Sequence, residues 1–525
     1  MSQPALQRRQ LLQWAAIGSA ALVLPPRAWT QTRVGSTPFI LGVASGSPTH
    51  DSVVLWTRLM LPIFQSPDSL GVSVRWEVAH DDKFTRIAQS GQSLAVAGLA
   101  YSVHAEVQGL EPDRWYFYRF RVGDAVSSMG HTRTFPAPDA AAAGMRLAYA
   151  SCQRREHGYF SAYRHMAQEN LDLVMFLGDY IYEYPRASNA VRTVPGGWTL
   201  TLDDYRQRYA TYKQDEDLQA MHAACPWLVT WDDHEVQNDY AGLTVGEAGP
   251  DVVDFAARRS AAYQAFYEHM PVRASVLTRA AAGLASGAEM RIYSRSQYGQ
   301  LASLTMLDAR QYKSPQVCTR DGKRGSSTVN PASCPAWNDP ARTMLGADQE
   351  RWLDAAWSSN KSSSWNVVGQ QSLLGQRDWR VGAEQSLWND GWDGYSAARS
   401  RLTDSVRKNA VSNLVVLGGD VHENWVGQIK ADYSQASSAA LGVEFCGTSI
   451  TSRSGGNGKL AETLTENPHF IFADAERKGY GVVDISPTRL KTTLRVVSDV
   501  TRQDSGIETL AEFSVASGRA VIERV

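Results

Sequence analysis

From residue 145 onward the chain alternates nearly continuous apolar runs of strand length with amphipathic stretches of helix length, and no other feature restricts the fold as much. Strands apolar on both sides must be covered on both faces, so the pattern predicts an α/β fold of buried strands layered with helices. Helix-length stretches include residues 159–169, 254–269 and 348–357, and the stripe of Phe255, Tyr263, Phe266 and Tyr267 reads as core. Before residue 136 the texture is different. Short alternating runs at 53–56, 72–79, 102–107 and 115–122 are separated by Gly, Pro and Asp. They predict a fibronectin type III-like β-sandwich over 35–136, with Leu110, Pro112, Tyr116 and Tyr118 at a tyrosine corner. The Ala- and Pro-rich residues 137–144 read as a linker to a larger domain over 145–525. Two domains suit a chain of 525 residues, which is too long for one core.

Residues 1–31 read as an export signal, with Arg8 and Arg9 followed by an apolar run from Trp14 to Leu24 and by Pro25 and Pro26. That run is too short to span a bilayer. The paired arginines predict the twin-arginine export machinery, with an ordinary Sec signal as the second choice. The expected location is the periplasm or the outside of the cell, without stable membrane insertion. Lys+Arg 52 against Asp+Glu 54 leaves no basic field for nucleic acid or an anionic membrane, so an anionic substrate must be handled locally. Cys318 and Cys334 flank a polar loop whose closure by a disulfide would contribute about 3 kcal/mol in the chain-entropy model. The alternative is two free thiols. Cys225 and Cys446 read as packing residues.

Chemistry gathers where the strands end. One run leads into Cys152, a second into Gly178, Asp179 and Tyr182, a third into Asp232, Asp233 and His234, and a fourth into Asp420 and His422. Thiolate, carboxylate, phenolate and imidazole thus arrive at what would be one edge of an α/β sheet. Such donors suit a highly charged iron, carboxylates and amide oxygens suit calcium, and zinc would want more Cys and His. The tight turn at Gly178 lets Asp179 and Tyr182 share a side, and Tyr180 then faces elsewhere. Singly, each residue has a plainer reading: Cys152 as apolar filler, Asp232 and Asp233 as caps of a helix starting near His234, Arg154 and Arg155 as a solvated pair. Residues 377–399 carry Trp379, Trp388, Trp392 and Tyr395, either to stack on an organic leaving group or to pack the core.

The stretches Ala150-Ser-Cys-Gln153, Leu177-Gly-Asp-Tyr-Ile-Tyr-Glu183, Trp231-Asp-Asp-His-Glu-Val236, Trp365-Asn-Val-Val-Gly-Gln-Gln371, Gly418-Gly-Asp-Val-His422 and Glu444-Phe-Cys-Gly-Thr-Ser449 resemble, in the same order, the PhoD-like alkaline phosphatases. The resemblance implies a sandwich followed by a calcineurin-like metallophosphoesterase domain, two central sheets flanked by helices. It implies ferric iron on Cys152, Asp179, Tyr182 and His422, with Asp179 bridging to one or two calcium ions held by Asp233 or Asn238 and by Asp420. It further implies hydrolysis of phosphate esters by metal-activated water. His234 would stabilise the transition state or protonate the leaving group, and Arg154 and Asn238 would bind phosphate oxygens. A phosphodiesterase of phospholipase D type is the alternative within the same family. A non-catalytic wall-binding protein is the alternative outside it.

Overall fold

The structure, a computed structural model, describes residues 36–60, 71–185, 189–247, 249–277, 290–320, 323–360, 363–435 and 437–525. The expected export signal at 1–31 lies outside them.

Two large sheets form the heart of the molecule. In a ten-stranded sheet, Met145–Ala150, Leu173–Phe176 and Trp227–Val229 run parallel side by side. In a seven-stranded sheet, Ala302–Met306, Trp365–Gly369, Leu414–Gly418 and Ala440–Cys446 do the same. Their inner faces pack together through side chains such as Leu147, Met175, Leu304, Trp365, Val415 and Phe445. This explains the near-continuous apolar runs, since both sides of each strand are buried. Helices Leu202–Lys213, Glu216–Ala224 and Phe255–His269 cover the outer face of the first sheet through side chains such as Tyr205, Tyr209, Leu218, Met221 and Phe266. Helices Ala347–Ser359 and Ser396–Lys408 cover that of the second.

The helix read at 254–269 forms as Phe255–His269, started by Asp254, whose side chain accepts from the Ala257 N–H. The stretch read at 159–169 is helical only over Ser161–Met166. The helix expected to start near His234 does not form, and turns occupy its place. The cause is that its side chains bond inward: Glu235 accepts N–H groups from Asp179, Tyr180 and Asp232, and Asp233 Oδ2 accepts the Asp239 N–H at 2.7 Å.

The N-terminal residues make a sandwich of two sheets around Val53, Leu55, Val74, Val78, Tyr118 and Phe120. Its corner is tied by Tyr116, whose hydroxyl accepts the Glu111 N–H at 2.9 Å. One of its sheets is continuous with the ten-stranded layer, because Val43–Gly46 pairs in parallel with Trp227–Val229. Gly46 permits this approach, since a Cβ there would lie 2.7 Å from the Trp227 carbonyl oxygen and 2.5 Å from that of Pro271. Cys318 and Cys334 form a disulfide, while Cys152, Cys225 and Cys446 are free and buried.

Candidate functional site

The C-terminal ends of the parallel strands of both sheets meet at one place. Cys152, Asp179 and His422 present ligand atoms within 4.8 Å of one another, and so do Asp179 with Asp233 and His234, and Asp232 with Asp233 and Asp420. Asp179 and Asp233 therefore link these groups into one buried centre. Tyr182 joins it, its hydroxyl 2.9 Å from Asp179 Oδ2 and 3.3 Å from His422 Nε2. Tyr180 turns the other way and bonds His222 at 2.8 Å.

The backbone pays a conformational cost to aim these side chains. Cys152, Asp179, Asp420 and His422 all occupy the left-handed region, at φ 58°, 59°, 65° and 59°. Each costs on the order of 1–3 kcal/mol and persists only where surrounding structure over-determines it. Cross-strand bonds supply that constraint: the Cys152 N–H donates to Gly178 O at 3.1 Å and the Gln153 N–H to Asp179 O at 3.0 Å. Gly178, at φ 115°, admits no side chain, because a Cβ would sit 2.5 Å from that of Asp232.

Neighbouring groups set the protonation states. His422 Nδ1 lies 2.9 Å from the Arg453 carbonyl oxygen and so carries the proton, leaving Nε2 bare toward Tyr182. His234 Nδ1 is held by Glu183 at 2.7 Å. Burial lowers the His234 pKa, but Asp233 and Glu183 outweigh it and raise it well above the ordinary value. Burial raises the Cys152 thiol and the Asp179 and Asp420 carboxyls well above their usual range, and neighbouring carboxylates add to it. Burial pushes Asp232 up to about 6, against Arg310, and Glu235 up to about 8. Asp233 runs the other way, held low by Arg310 and His234 in spite of its burial.

Oxygens Oδ1 of Asp179, Oδ1 of Asp233 and Oδ2 of Asp232 are buried without a hydrogen-bond partner. Crowded anionic oxygens lacking donors carry a large electrostatic penalty that cations remove. These groups could hold metal ions.

Arg154 is buried, with its guanidinium 5.2 Å over the Tyr182 ring and 4.5 Å over that of Tyr184, and Nε and Nη2 make no hydrogen bond. It is not a solvated partner of Arg155. Asn238 is half-buried beside the centre, its N–H donating to Glu183 at 2.8 Å.

Sequence reasoning missed Glu183, Glu235, Arg310, Asp239 and Asp390. Asp239 and Asp390 form a further group with Asp233. Arg310 ties the halves together, donating to Asp232 at 2.5 Å and Asp390 at 2.7 Å, and Lys313 also donates to Asp390. Arg310 follows the strand Ala302–Met306, so the strand-end rule that found Asp179 also points to it. Asp232, expected to cap a helix, instead belongs to the centre through Arg310. Trp392 and Tyr395 pack in the core, which removes them as leaving-group contacts.

The PhoD-like phosphatase family profile matches residues 147–494, and that of the PhoD-like phosphatase N-terminal domain matches 25–136. The chain is 43% identical over 506 residues to alkaline phosphatase D of Bacillus subtilis (strain 168), covering 93% of this chain and 83% of that protein. A solved structure titled "Structure of PhoD" superposes with a TM-score of 0.85 at 42% identity, covering 94% of this chain and 93% of that one. With the family profile spanning both sheets and a relative of this identity over nearly its whole length, the chain belongs to the PhoD-like phosphatase family and is a phosphoric ester hydrolase.

Proposed function

We propose that this is an exported alkaline phosphatase acting on phosphate monoesters, with ferric iron held by Cys152, Asp179, Tyr182 and His422 and calcium held by Asp179, Asp233 and Asp420. The observation that carries this reading is the buried excess of anionic oxygen, with Asp179, Asp232 and Asp233 each keeping an oxygen that has no donor. The donor set fits: the Cys152, Tyr182 and His422 side chains gather at Asp179, while Asp233, which also neighbours Asp179 and His234, gathers with the carboxylates Asp232 and Asp420. Asp233 is favoured over Asn238 as the second-metal ligand because it belongs to three of the carboxylate groups. Asn238 is left to bind phosphate.

When bound, the cations would offset the phosphoryl charge and lower the pKa of water. The chain's own groups do the rest. Arg154, whose Nη2 makes no hydrogen bond while Nε lies 3.8 Å from Glu156 Oε2, would offer Nη2 to a phosphoryl oxygen. His234, kept protonated by Asp233 and Glu183, protonates the departing oxygen. Glu183 fixes the His234 ring by accepting from Nδ1, which leaves Nε2 to give up its proton.

Elemental analysis of protein exported from its own host should find iron and calcium, and phenolate on ferric iron should give a visible charge-transfer band. A colourless, iron-free and fully active preparation would overturn the iron assignment. Comparing p-nitrophenyl phosphate with bis(p-nitrophenyl) phosphate ranks the monoester against the diester. Export through the twin-arginine route is supported by Arg8 and Arg9, and replacing both with Lys should leave the protein in the cytoplasm.

A further inference from the structure

We propose that Tyr184 and Trp198 form the subsite for the organic part of the ester, a flat platform that favours aryl and other planar leaving groups over short alkyl ones. This rests on the monoester reading and on the roles given to Arg154 and His234. Both rings are half-buried, their centroids 5.0 Å apart and tilted by 33°. Tyr184 touches the two groups that flank the scissile bond. Its hydroxyl accepts from Arg154 Nη1 at 3.3 Å, its face lies 4.5 Å from that guanidinium, and its centroid is 5.7 Å from that of His234.

The leaving oxygen is bonded directly to the phosphorus atom that Arg154 grips, and His234 must reach that oxygen. Whatever the oxygen carries therefore begins beside Tyr184 and extends along the ring surface that Trp198 continues. Aromatic faces there reward planar groups by stacking, with little to offer a short hydroxylated chain.

The platform is held in place before substrate arrives. The Thr199 N–H donates to Glu183 O at 2.8 Å, and Arg208 bridges the segments by donating to Tyr182 O and, at 2.7 Å, to Gly197 O. Behind the indole, Gly249 at φ 112° packs so closely that a Cβ would lie 3.1 Å from Cζ3 of Trp198. Rings fixed in this way lose little freedom on binding.

The test compares kcat/KM for phenyl phosphate and glycerol 2-phosphate in the metal-loaded enzyme and in Trp198→Ala and Trp198→Leu. The aryl-to-alkyl ratio should fall about ten-fold in the alanine variant and less in the leucine variant, which keeps apolar volume. Inhibition by phenylphosphonate should weaken more than inhibition by methylphosphonate. An unchanged ratio in active variants, together with equal shifts for both phosphonates, would overturn the platform alone. A wild-type enzyme that hydrolyses neither ester would instead overturn the monoester reading beneath it. If both variants fail to fold, the phosphonate comparison on Trp198→Phe decides, where retained discrimination supports the platform and lost discrimination opposes it.

Discussion

Two buried charge clusters in this protein behave in opposite ways. In the first, Glu268 on helix Phe255–His269 accepts from Arg206 at 2.7 and 2.6 Å and from Gln264 at 2.8 Å. Every one of those charges has a partner, and neither Glu268 nor Arg206 has a left-handed backbone. In the second, around Asp179 and Asp233, carboxylates outnumber their donors and five residues, Cys152, Asp179, Asp239, Asp420 and His422, carry strained φ angles. Burial alone therefore does not mark a site. A cluster that stays unsatisfied, at a cost in backbone strain, is one arranged for something that arrives later.

The contrast is tested most severely by Asp179→Asn. Activity should fall by about a thousand-fold or more, as the residue shared by the ligand groups is lost. The metal-free variant should nevertheless melt no lower than the metal-free parent, because one crowded anion has gone. A large fall in the melting temperature without metal would make Asp179 structural, like Glu268.

Lys213 is a buried cation with Nζ unpartnered, 4.2 Å over the Trp56 ring, its pKa lowered by burial to about 7 from 10.5. Because the folded value is depressed, the unfolded chain's Lys213 holds its proton more often between about 7 and 10.5, so the destabilisation due to this one group shrinks as pH rises through that window. Lys213→Met should thus stabilise by on the order of 2–3 kcal/mol below neutral pH, after allowing for the lost ring contact, with the gain shrinking toward alkaline pH. Denaturant titration at several pH values measures it.

Glu268→Ala should cost about 3 kcal/mol of stability by leaving Arg206 without its partner, while turnover per folded molecule stays near wild type. Smallest is a difference in slope. Asp232, Asp239 and Glu235 have folded pKa values raised to about 6, 7 and 8. Raised carboxyls bind protons more tightly when folded, so metal-free protein should lose a few degrees of melting temperature as pH rises from about 6 to 8. The metal-loaded protein should not, and parallel slopes would remove the electrostatic case for cations.

Much of the centre was legible from the chain. Cys152, Asp179, Tyr182, Asp420 and His422 stand directly after apolar runs, and a strand's end is a local property that residue order displays. Asp390 was not legible, because it follows no such run and reaches the centre only through Arg310 and Lys313. Glu235 was given no role, since the three N–H groups it accepts, from Asp179, Tyr180 and Asp232, meet it only through the folded turns. The aromatic stretch 377–399 was open to either a substrate or the core, and Trp392 and Tyr395 take the core, while Tyr184 had no role assigned and Trp198 lay unsingled within a loop expected to shape the cleft.

Hydrophobic period and donor chemistry, both carried by neighbours in the chain, dictated the layered α/β plan, the sandwich before it and the type of ion the strand ends suit. Folding decided which ends meet, which carboxylates stay without donors and which aromatic rings lie beside Arg154 and His234. Those outcomes depend on packing between two sheets and on charges brought together from distant segments, and a linear order of residues does not encode distance.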